Sequence, residues 1–320
     1  MLWLQISLIT VMVLFVLILV ISYVCFIRVF LAPRRKPDSD EAMIPKGDIY
    51  DVYRDDMLSW IKQVRGMPHT EITITSYDGL KLYGRFFEYK KGAPIELMFH
   101  GYKGSSDRDM SGGVLRAAAL GRSALIVDHR GSGKSEGRVI TFGVKESRDC
   151  LSWIDYILKN IDSEAKIILT GISMGAATVM CVSDNDLPKN VVGILADCGY
   201  STTETIIKKV VNDMKLPSKL LMPFIKLGAR VFGGFKIDEV SPLAALRNSR
   251  LPVIFIHGDT DAYVPYEMSV SNFEACTSKK MLVKIEGAGH GLAFPRDPDK
   301  YYAALKEFFD PLLENDGGEI

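Results

Sequence analysis

The sequence predicts an α/β fold, in which a mostly parallel central sheet carries helices on both faces and follows one transmembrane helix. Two observations predict this arrangement. The stretch Leu2–Ile27 contains no charged side chain, which is typical of a membrane-spanning helix. After it, short apolar runs rich in β-formers alternate with stretches of helical period until the chain ends. The length of 320 residues suits one large α/β domain after such a helix.

Composition excludes several classes of protein. The 39 basic residues balance 39 acidic ones, whereas proteins that bind nucleic-acid backbones usually carry a basic excess. We therefore expect no nucleic-acid partner. The five cysteines show neither metal-ligand spacing nor the density of a disulfide framework, which indicates a reducing compartment.

The apolar N-terminal segment predicts an uncleaved membrane anchor. As a helix, Leu2–Ile27 would be ~39 Å long, more than the ~30 Å hydrocarbon core of a bilayer. A cleavable signal peptide is the alternative, but no basic residue precedes the run and no small-x-small site follows it. Arg28, Arg34, Arg35 and Lys36 follow the segment, so the positive-inside rule places the rest of the chain in the cytoplasm.

The sequence predicts that the chain is divided into three parts. We expect a transmembrane anchor at 1–31, a charged, proline-containing linker at 32–50 and the α/β domain at 51–314. The first two predicted strands of this domain form a hairpin about the turn Tyr77-Asp78-Gly79. The eight predicted strands are Glu71–Thr75, Leu80–Phe87, Ile95–Phe99, Ala124–Val127, Ile167–Thr170, Val191–Ala196, Val253–Ile256 and Met281–Ile285.

Residues of about 200–245 interrupt the alternation of strands and helices. More than fifty residues separate the strand that ends near Asp197 from the one that starts at Val253, where a single crossover helix would suffice. They contain an amphipathic face that includes Ile206, Val210 and Met214. Two extra packing helices would explain the pattern. We expect instead a small helical cap, with this face forming a lid over the carboxyl edge of the sheet.

The segment Gly171-Ile172-Ser173-Met174-Gly175 carries the predicted nucleophile. A predicted strand runs directly into it and a predicted helix directly out of it, which is the strand–turn–helix context of a nucleophile elbow. The turn exposes the hydroxyl of Ser173 at the sheet edge, and the flanking glycines let neighbouring backbone approach closely.

A serine hydroxyl needs a base, and the histidines supply the candidates. If the chain order is serine, acid, base, only His257 and His290 follow Ser173. His257 precedes every good acid candidate, whereas His290 lies in a glycine-flanked loop after the last predicted strand. We therefore predict His290 as the base among the five histidines His69, His100, His129, His257 and His290.

The acid is less clearly defined by position. Asp259 and Asp261 both follow the strand Val253–Ile256, and Asp197 ends an earlier strand. Spacing alone does not separate Asp259 from Asp261, and either aspartate could instead form a turn through its own backbone.

Two backbone amides are expected to stabilise an oxyanion. One is the amide of Met174, which follows the nucleophile. The other is expected in the loop after Ile95–Phe99, where we predict the amide of Tyr102. His100 is interpreted as a structural hydrogen-bonding residue beneath this loop.

These residues resemble those of the α/β-hydrolase superfamily, in its serine-hydrolase branch near the prolyl-oligopeptidase-like esterases and peptidases. The resemblance covers about residues 70 to 313. It rests, in the family's order, on HGYKGSS at 100–106, DHRGSGKSEG at 128–137, GISMG at 171–175, HGDTDAYVP at 257–265 and GAGHG at 287–291. It implies the α/β-hydrolase fold with a cap in the insertion, Asp261 as the acid and the Tyr102 amide as an oxyanion donor.

A partial phosphate-binding motif gives a competing interpretation. Gly131-Ser132-Gly133-Lys134-Ser135 ends like a P-loop, but the pattern requires glycine where Asp128 stands, and no helix follows directly. The family resemblance implies a structural turn here, braced by Asp128 and Arg130.

The predicted function is a membrane-anchored serine hydrolase that cleaves carboxylic esters through a Ser173–Asp261–His290 triad and an acyl-enzyme. The expected partner is a small ester with an apolar acyl or aryl group, because the predicted lid carries no charged cluster, and no metal or cofactor is implied. A serine peptidase of the same fold is the first alternative, and a non-catalytic interaction protein of this fold is the second. The oligomeric state stays open.

Overall fold

A computed structural model describes residues 2–33 and 44–314 of the chain. An eight-stranded sheet forms its centre, in the order β1-β2-β4-β3-β5-β6-β7-β8. The pairs β1–β2 and β2–β4 are antiparallel, and all other neighbours are parallel. The strands are β1 Thr70–Thr75, β2 Lys81–Phe87, β3 Ile95–Phe99, β4 Ser123–Val127, β5 Ile167–Ile172, β6 Val191–Asp197, β7 Val253–Gly258 and β8 Lys280–Ile285.

The prediction of a mostly parallel sheet is confirmed, and each predicted strand overlaps one of these eight. The central strands β3 and β4 are buried at every position, which explains why their sequences are mostly apolar rather than alternating. The charged exception is Glu96 of β3, which is buried between Arg116 and Arg122. The first two strands lie at the sheet margin, where one face of β1 is exposed and the apolar pattern alternates.

Helices cover both faces of the sheet. Leu97 of β3 packs in one apolar cluster with Trp153 and Val179, while its neighbour Met98 packs on the opposite face with Val64 and Val114. The helices are α1 Leu2–Phe30, α2 Asp48–Asp51, α3 Arg54–Gly66, α4 Ser106–Ala119, α5 Val144–Tyr156, α6 Met174–Val182, α7 Thr203–Asp213, α8 Ser218–Phe232, α9 Pro242–Leu246, α10 Tyr266–Ala275, α11 Ala293–Arg296 and α12 Pro298–Glu314. A π-helical turn, Ile157–Ile161, extends α5.

The insertion between β6 and β7 forms a helical cap made of α7, α8 and α9. Its apolar side chains do not pack only among themselves. They form one cluster with Phe26 and Phe30 at the C-terminal end of α1 and with Phe142 and Met174 of the sheet domain. The cap therefore joins the N-terminal helix to the body of the protein.

The contact between α1 and α8 is close at one glycine. A Cβ atom at Gly228 would collide with the carbonyl oxygen of Ser22 and would crowd the Cβ of Phe26. Only a residue without a side chain lets the two helices approach this far. Beyond the helix, Leu31 pairs with Val139 as an isolated antiparallel bridge, which fixes the end of α1 to the sheet domain.

The helix α1 is long and apolar enough to span a membrane, with a mean hydropathy of 3.0 over 18 residues. Of the basic residues that predict its orientation, Arg28 belongs to α1 and is exposed. The other three, Arg34, Arg35 and Lys36, lie outside the described residues.

Candidate active site

The segment around Ser173 forms a strained turn between β5 and α6. Ser173 has φ 55° and ψ −113°, a conformation that L-residues rarely adopt. The flanking glycines permit it, because a Cβ at Gly175 would collide with the carbonyl oxygen of Phe99, and one at Gly171 with the backbone of Gly175. The elbow that the sequence predicts at 171–175 is thus the observed local structure.

The structure brings the three predicted catalytic side chains together. Ser173 Oγ lies 3.0 Å from Nε2 of His290, and Nδ1 of the same imidazole lies 2.7 Å from Oδ2 of Asp261. Each side chain follows a different strand of the sheet, namely β5, β8 and β7. Because the carboxyl ends of parallel strands meet at one edge, residues 117 and 29 positions apart become hydrogen-bond neighbours.

Asp261 is held by the loop that follows β7. Its Oδ1 accepts hydrogen bonds from the backbone N–H groups of Tyr263 and Val264, both at 2.8 Å. Burial alone would raise the pKa of Asp261, but hydrogen bonds from His257 and His290 outweigh it and hold the pKa well below its usual value. The carboxylate is therefore charged at neutral pH, as an orienting acid requires.

A second histidine contacts the same carboxylate. His257 is fully buried, and its Nε2 lies 3.0 Å from Oδ2 of Asp261 and 2.9 Å from the carbonyl oxygen of Val264. Its Nδ1 lies 2.6 Å from Oγ of Ser269. Sequence reasoning considered His257 only as a base and missed this positioning contact. Its place four residues before Asp261 was the available signal.

The other two acid candidates have different partners. Asp259 Oδ1 accepts the N–H of Gly287 at 2.7 Å, and so it connects two loops. Asp197 accepts the hydroxyl of Tyr301 at 2.9 Å, and burial raises its pKa. Within the described residues, Asp261 is the carboxylate in hydrogen-bond contact with the ring of His290.

The predicted oxyanion donors lie beside the serine. Met174 is the first residue of α6, so its N–H has no acceptor within the helix. Tyr102 lines the same cavity as Ser173, while the preceding amide, of Gly101, already donates to Asp109 at 2.9 Å. The role of the Tyr102 and Met174 amides as oxyanion donors stays a prediction.

His100 lies beneath this loop. It is completely buried, and its Nε2 accepts the N–H of His129 at 3.0 Å. Burial lowers the pKa of His100 to about 4, so the imidazole is neutral at physiological pH. Its position agrees with the structural role inferred from the sequence.

A cavity of about 500 Å³ opens at Ser173 and His290. Five apolar side chains form much of its wall, namely Met57, Trp60, Met98, Met110 and Phe294. Ile49, Tyr50, Tyr102 and Tyr263 also line it. The hydroxyl of Tyr50 donates to the carbonyl oxygen of His290 at 3.1 Å. Residues 45–60, which include part of the predicted linker, thus contribute a wall that sequence reasoning missed.

Polar groups form another part of the cavity wall. Asp197 and Arg116 are both buried, and both line the cavity together with Tyr301. The guanidinium of Arg116 pairs with Glu96 at 2.6 Å. A substrate in this cavity would therefore meet apolar and charged surface at different points.

The expectation that the cap face forms the lid over the substrate is wrong. Among the described residues, no side chain of 203–246 lines the cavity. Ile206 is buried in the cluster with Phe26 and Phe30, Val210 packs partly against it, and Met214 is exposed. The helix α7 is amphipathic because its apolar face packs in the cluster that also contains residues of α8, the end of α1 and the sheet domain.

The glycine-rich segment 128–137 has no phosphate cradle. Asp128 accepts the N–H of Ser106 at 3.0 Å and that of Lys134 at 2.9 Å, so its carboxylate occupies the inside of the turn. Arg130 pairs with Asp149 and Asp78. The first helix after the segment is α5, at Val144.

One cluster of donor atoms in the site could be considered for a metal. Ligand atoms of Cys198, Asp261 and His290 lie within 4.8 Å of one another. Burial raises the pKa of the Cys198 thiol well above its usual value, whereas metal binding requires a thiolate. Asp261 and His290 already bind each other, so this donor set does not fit a metal ion.

The sheet order, the elbow after β5 and the histidine loop after β8 define the α/β-hydrolase fold, and the class of protein is a hydrolase of the esterase and peptidase type. The chain belongs to the prolyl oligopeptidase family, whose pattern it matches over residues 114–316. The family expected from the sequence motifs is confirmed.

Two relatives illustrate the similarity in sequence. The chain is 30% identical over 198 residues to the protein YqkD of Bacillus subtilis, and the match covers 61% of this chain and 65% of the relative. It is 26% identical over 212 residues to the protein bem46 of Schizosaccharomyces pombe, covering 66% of this chain and 64% of the relative. The matches thus span just under two thirds of the length of these relatives.

Solved structures share the fold. The esterase Pf2001 of Pyrococcus furiosus superposes with a TM-score of 0.66 at 21% identity, covering 88% of this chain and 98% of the esterase. Est1E of Butyrivibrio proteoclasticus, solved with ferulic acid, gives 0.57 at 21% identity, with 76% and 100% coverage. A bacterial membrane phospholipase A gives 0.58 at 15% identity, with 83% and 94% coverage.

Proposed function

We propose that this protein is a membrane-anchored serine hydrolase that cleaves carboxylic esters through an acyl-enzyme. The observation that carries the proposal is the continuous hydrogen-bond chain from Ser173 through His290 to Asp261, of which Ser173 and His290 line a cavity. Such a chain makes a serine hydroxyl nucleophilic, because the imidazole can take its proton during attack.

The proposed mechanism assigns a role to each residue of the site. Ser173 Oγ forms a bond to the ester carbonyl carbon while its proton moves to Nε2 of His290. The carbonyl electron pair moves onto oxygen, which the amides of Tyr102 and Met174 stabilise. His290 then protonates the leaving alcohol as the ester bond breaks, and a water hydrolyses the acyl-enzyme by the same steps. Asp261 holds the imidazole in the required tautomer and stabilises its cation.

The size and lining of the cavity favour a substrate with an apolar acyl or aryl group. Its size lies within the ~300–1,000 Å³ typical of small-molecule sites. The side chains of Met57, Trp60 and Phe294 offer apolar surface for such a group. The similarity in fold to esterases, including one solved with ferulic acid, supports the same substrate class.

A peptidase is the alternative, and two observations favour it. The family that the chain belongs to is named for a peptidase. The carboxyl of Asp197 lines the cavity and could accept a hydrogen bond from a substrate amine. A non-catalytic interaction protein is less well supported, because such a protein has no need of the Ser173–His290 contact.

The proposed location is the cytoplasmic face of a membrane, with α1 as an uncleaved anchor. The burial of Phe26 and Phe30 supports retention of the helix, because its removal would expose the apolar surface that they cover. The exposed Arg28 at the end of α1 supports the cytoplasmic orientation. We propose the division into an anchor at 1–31, a linker at 32–50 and a hydrolase domain at 51–314 with a cap at about 200–245. Linker residues from Pro45 onwards also line the cavity.

A covalent probe tests the nucleophile in the full chain, since the cap packs on α1. A fluorophosphonate should label the wild type and fail to label Ser173→Ala. Ser201→Ala, which alters another buried serine, is the matched control and should label normally. Labelling of Ser173→Ala at the wild-type rate would place the nucleophile elsewhere.

A pair of chromogenic substrates separates an esterase from a peptidase. We expect p-nitrophenyl esters of short to medium acyl chains to be hydrolysed well and aminoacyl anilides poorly. Both activities should disappear together in Ser173→Ala. Anilide hydrolysis equal to ester hydrolysis would favour the peptidase.

A further inference from the structure

Cap helix α8 has a second apolar face that the rest of the described protein covers only in part. Leu220 and Val231 are exposed, and Phe224 and Leu227 are half-buried. These positions are spaced i, i+4, i+7 and i+11, so they lie within roughly 60° of one side of the helix. We call Leu220, Phe224, Leu227 and Val231 the apolar stripe of α8.

The opposite side of α8 accounts for its structural packing. Met222, Ile225 and Ala229 are buried in the cluster shared with α1. Gly228, on the flank of the helix between these residues and the apolar stripe, contacts α1 directly. The apolar stripe therefore adjoins α1 but lies outside the buried cluster that joins the cap to α1.

The length of α1 indicates where a bilayer would meet the cap. From Leu2 to Val20 the helix lies almost wholly outside the protein body, and full burial begins at Ser22. These 19 residues extend ~28 Å, close to the ~30 Å hydrocarbon thickness of a bilayer. A bilayer spanned by this free part of α1 would end where α8 begins to pack on it.

Aromatic side chains lie at that level. Tyr23 of α1 packs edge-on against Phe232 at the end of α8, with ring centroids 5.0 Å apart, and Tyr23 remains about half exposed. Tyrosine is enriched where membrane proteins cross from hydrocarbon to water. The Tyr23–Phe232 pair is thus placed as an interfacial pair would be.

Basic side chains lie along the other margin of the stripe. Lys219 and Arg230 are exposed and lie on one side of α8, between the apolar stripe and the buried face. Lys226, on the same side, pairs with Glu204. An apolar face bordered by basic residues is typical of helices that lie in the surface of a membrane with anionic lipids.

We propose that α8 lies in the lipid–water interface, with its apolar stripe inserted into the leaflet at the C-terminal end of α1. Phospholipid covers the apolar stripe, and Lys219 and Arg230 lie at the level of the headgroups. This inference rests on the membrane anchoring proposed above. It adds a second membrane contact, which fixes the orientation of the cap relative to the bilayer.

Site-specific fluorescence tests this arrangement in the full chain. Leu220→Cys and Val231→Cys would each be labelled with the environment-sensitive dye NBD and reconstituted into phosphatidylcholine vesicles that contain some phosphatidylglycerol. Tyr89→Cys is the matched control, because Tyr89 is equally exposed but hydrogen-bonds at the start of β4, the opposite edge of the sheet from the cap. Leu14→Cys reports the insertion of α1 itself. Unsubstituted protein gives the background from the native cysteines.

We expect the two α8 labels to show blue-shifted emission that rises several-fold, and to be quenched by lipids carrying a spin label. The Tyr89→Cys label should show neither effect. A quenched Leu14→Cys label with unquenched α8 labels would overturn the inference and leave the anchor intact. Blue-shifted but unquenched α8 labels would also overturn it, since a second copy of the chain would then cover the stripe. An unquenched Leu14→Cys label would overturn both the anchor and this inference. Labelling of Ser173 by a fluorophosphonate is independent of all three outcomes.

Discussion

Replacement of Asp261 by asparagine tests the proposed catalytic chain most directly. The carboxylate makes four contacts. Oδ1 accepts the N–H groups of Tyr263 and Val264, and Oδ2 lies within hydrogen-bond distance of His257 and His290. All four neighbours therefore require an acceptor, but an asparagine side chain offers one acceptor and one donor. Asp261→Asn cannot satisfy both sides in either orientation.

The two orientations of the amide have different costs. If its NH₂ group faces the backbone, the N–H groups of Tyr263 and Val264 lose their acceptor, at ~1–3 kcal/mol for each unsatisfied donor. If it faces His290, the imidazole must accept at Nδ1 and carry its proton on Nε2, where it cannot take the proton of Ser173. We expect the second effect to reduce kcat by ~10⁴, equivalent to ~5 kcal/mol of transition-state stabilisation.

The assay is kcat on a p-nitrophenyl ester, with folding checked by thermal denaturation. Asp259→Asn and Asp197→Asn are the matched controls, because neither carboxylate contacts the ring of His290 and both changes keep the side-chain shape. We expect each control to keep kcat within about tenfold of the wild type, since on this assignment neither holds the tautomer. Near-wild-type kcat in Asp261→Asn, with a large loss in either control, would refute Asp261 as the acid.

Three further outcomes follow from the structure. The folded-state pKa of Asp261 is depressed, so its carboxylate contributes stability above the unfolded pKa of ~3.9 and loses it as the pH falls below that value. The Tm of the wild type should exceed that of Asp261→Asn at neutral pH, and this difference should become smaller as the pH falls through that acid range. A Tm difference that does not change with pH would contradict the depressed pKa of Asp261. Phe30→Ala should cost ~3–5 kcal/mol of unfolding free energy, whereas the exposed Val16→Ala should cost little, as measured by denaturation in detergent. In intact cells, protease added from outside should not digest the domain at 51–314. Placing lysines before Leu2 should reverse the orientation of some molecules, so that the protease digests their domain.

Much of the fold could be predicted because its signals are local. Buried strands such as Ile95–Phe99 and Ile167–Ile172 appear as short apolar runs, and the elbow at Ser173 requires glycines at fixed offsets. The order of motifs along the chain then brings Ser173 and His290 to one edge of the sheet. The choice between Asp259 and Asp261 could not be made from spacing, because it depends on which carboxylate the loop amides hold.

Local sequence patterns did not predict the cavity beside Ser173 or the packing of the cap on the end of α1. The wall that Met57 and Trp60 contribute depends on how α3 packs on α4, which no local pattern records. Phe26 belongs to the apolar run and Phe30 follows it just after Arg28, and a side chain that faces lipid has the same hydropathy as one that faces protein. The sequence therefore indicated the length of the apolar helix but not that its C-terminal end packs on the cap.

That end of α1 is also connected to the proposed oxyanion loop. The hydroxyl of Tyr102 donates to the carbonyl oxygen of Val29 at 2.6 Å, and its ring packs on Phe142, which in turn packs against Phe30. The Tyr102 side chain is thus held by the helix, while its backbone amide is the one proposed to bind the oxyanion. A helix that only tethered the enzyme would need no such contacts. The arrangement makes α1 a structural part of the protein, because the loop that carries the proposed oxyanion amide packs on the C-terminal end of this helix.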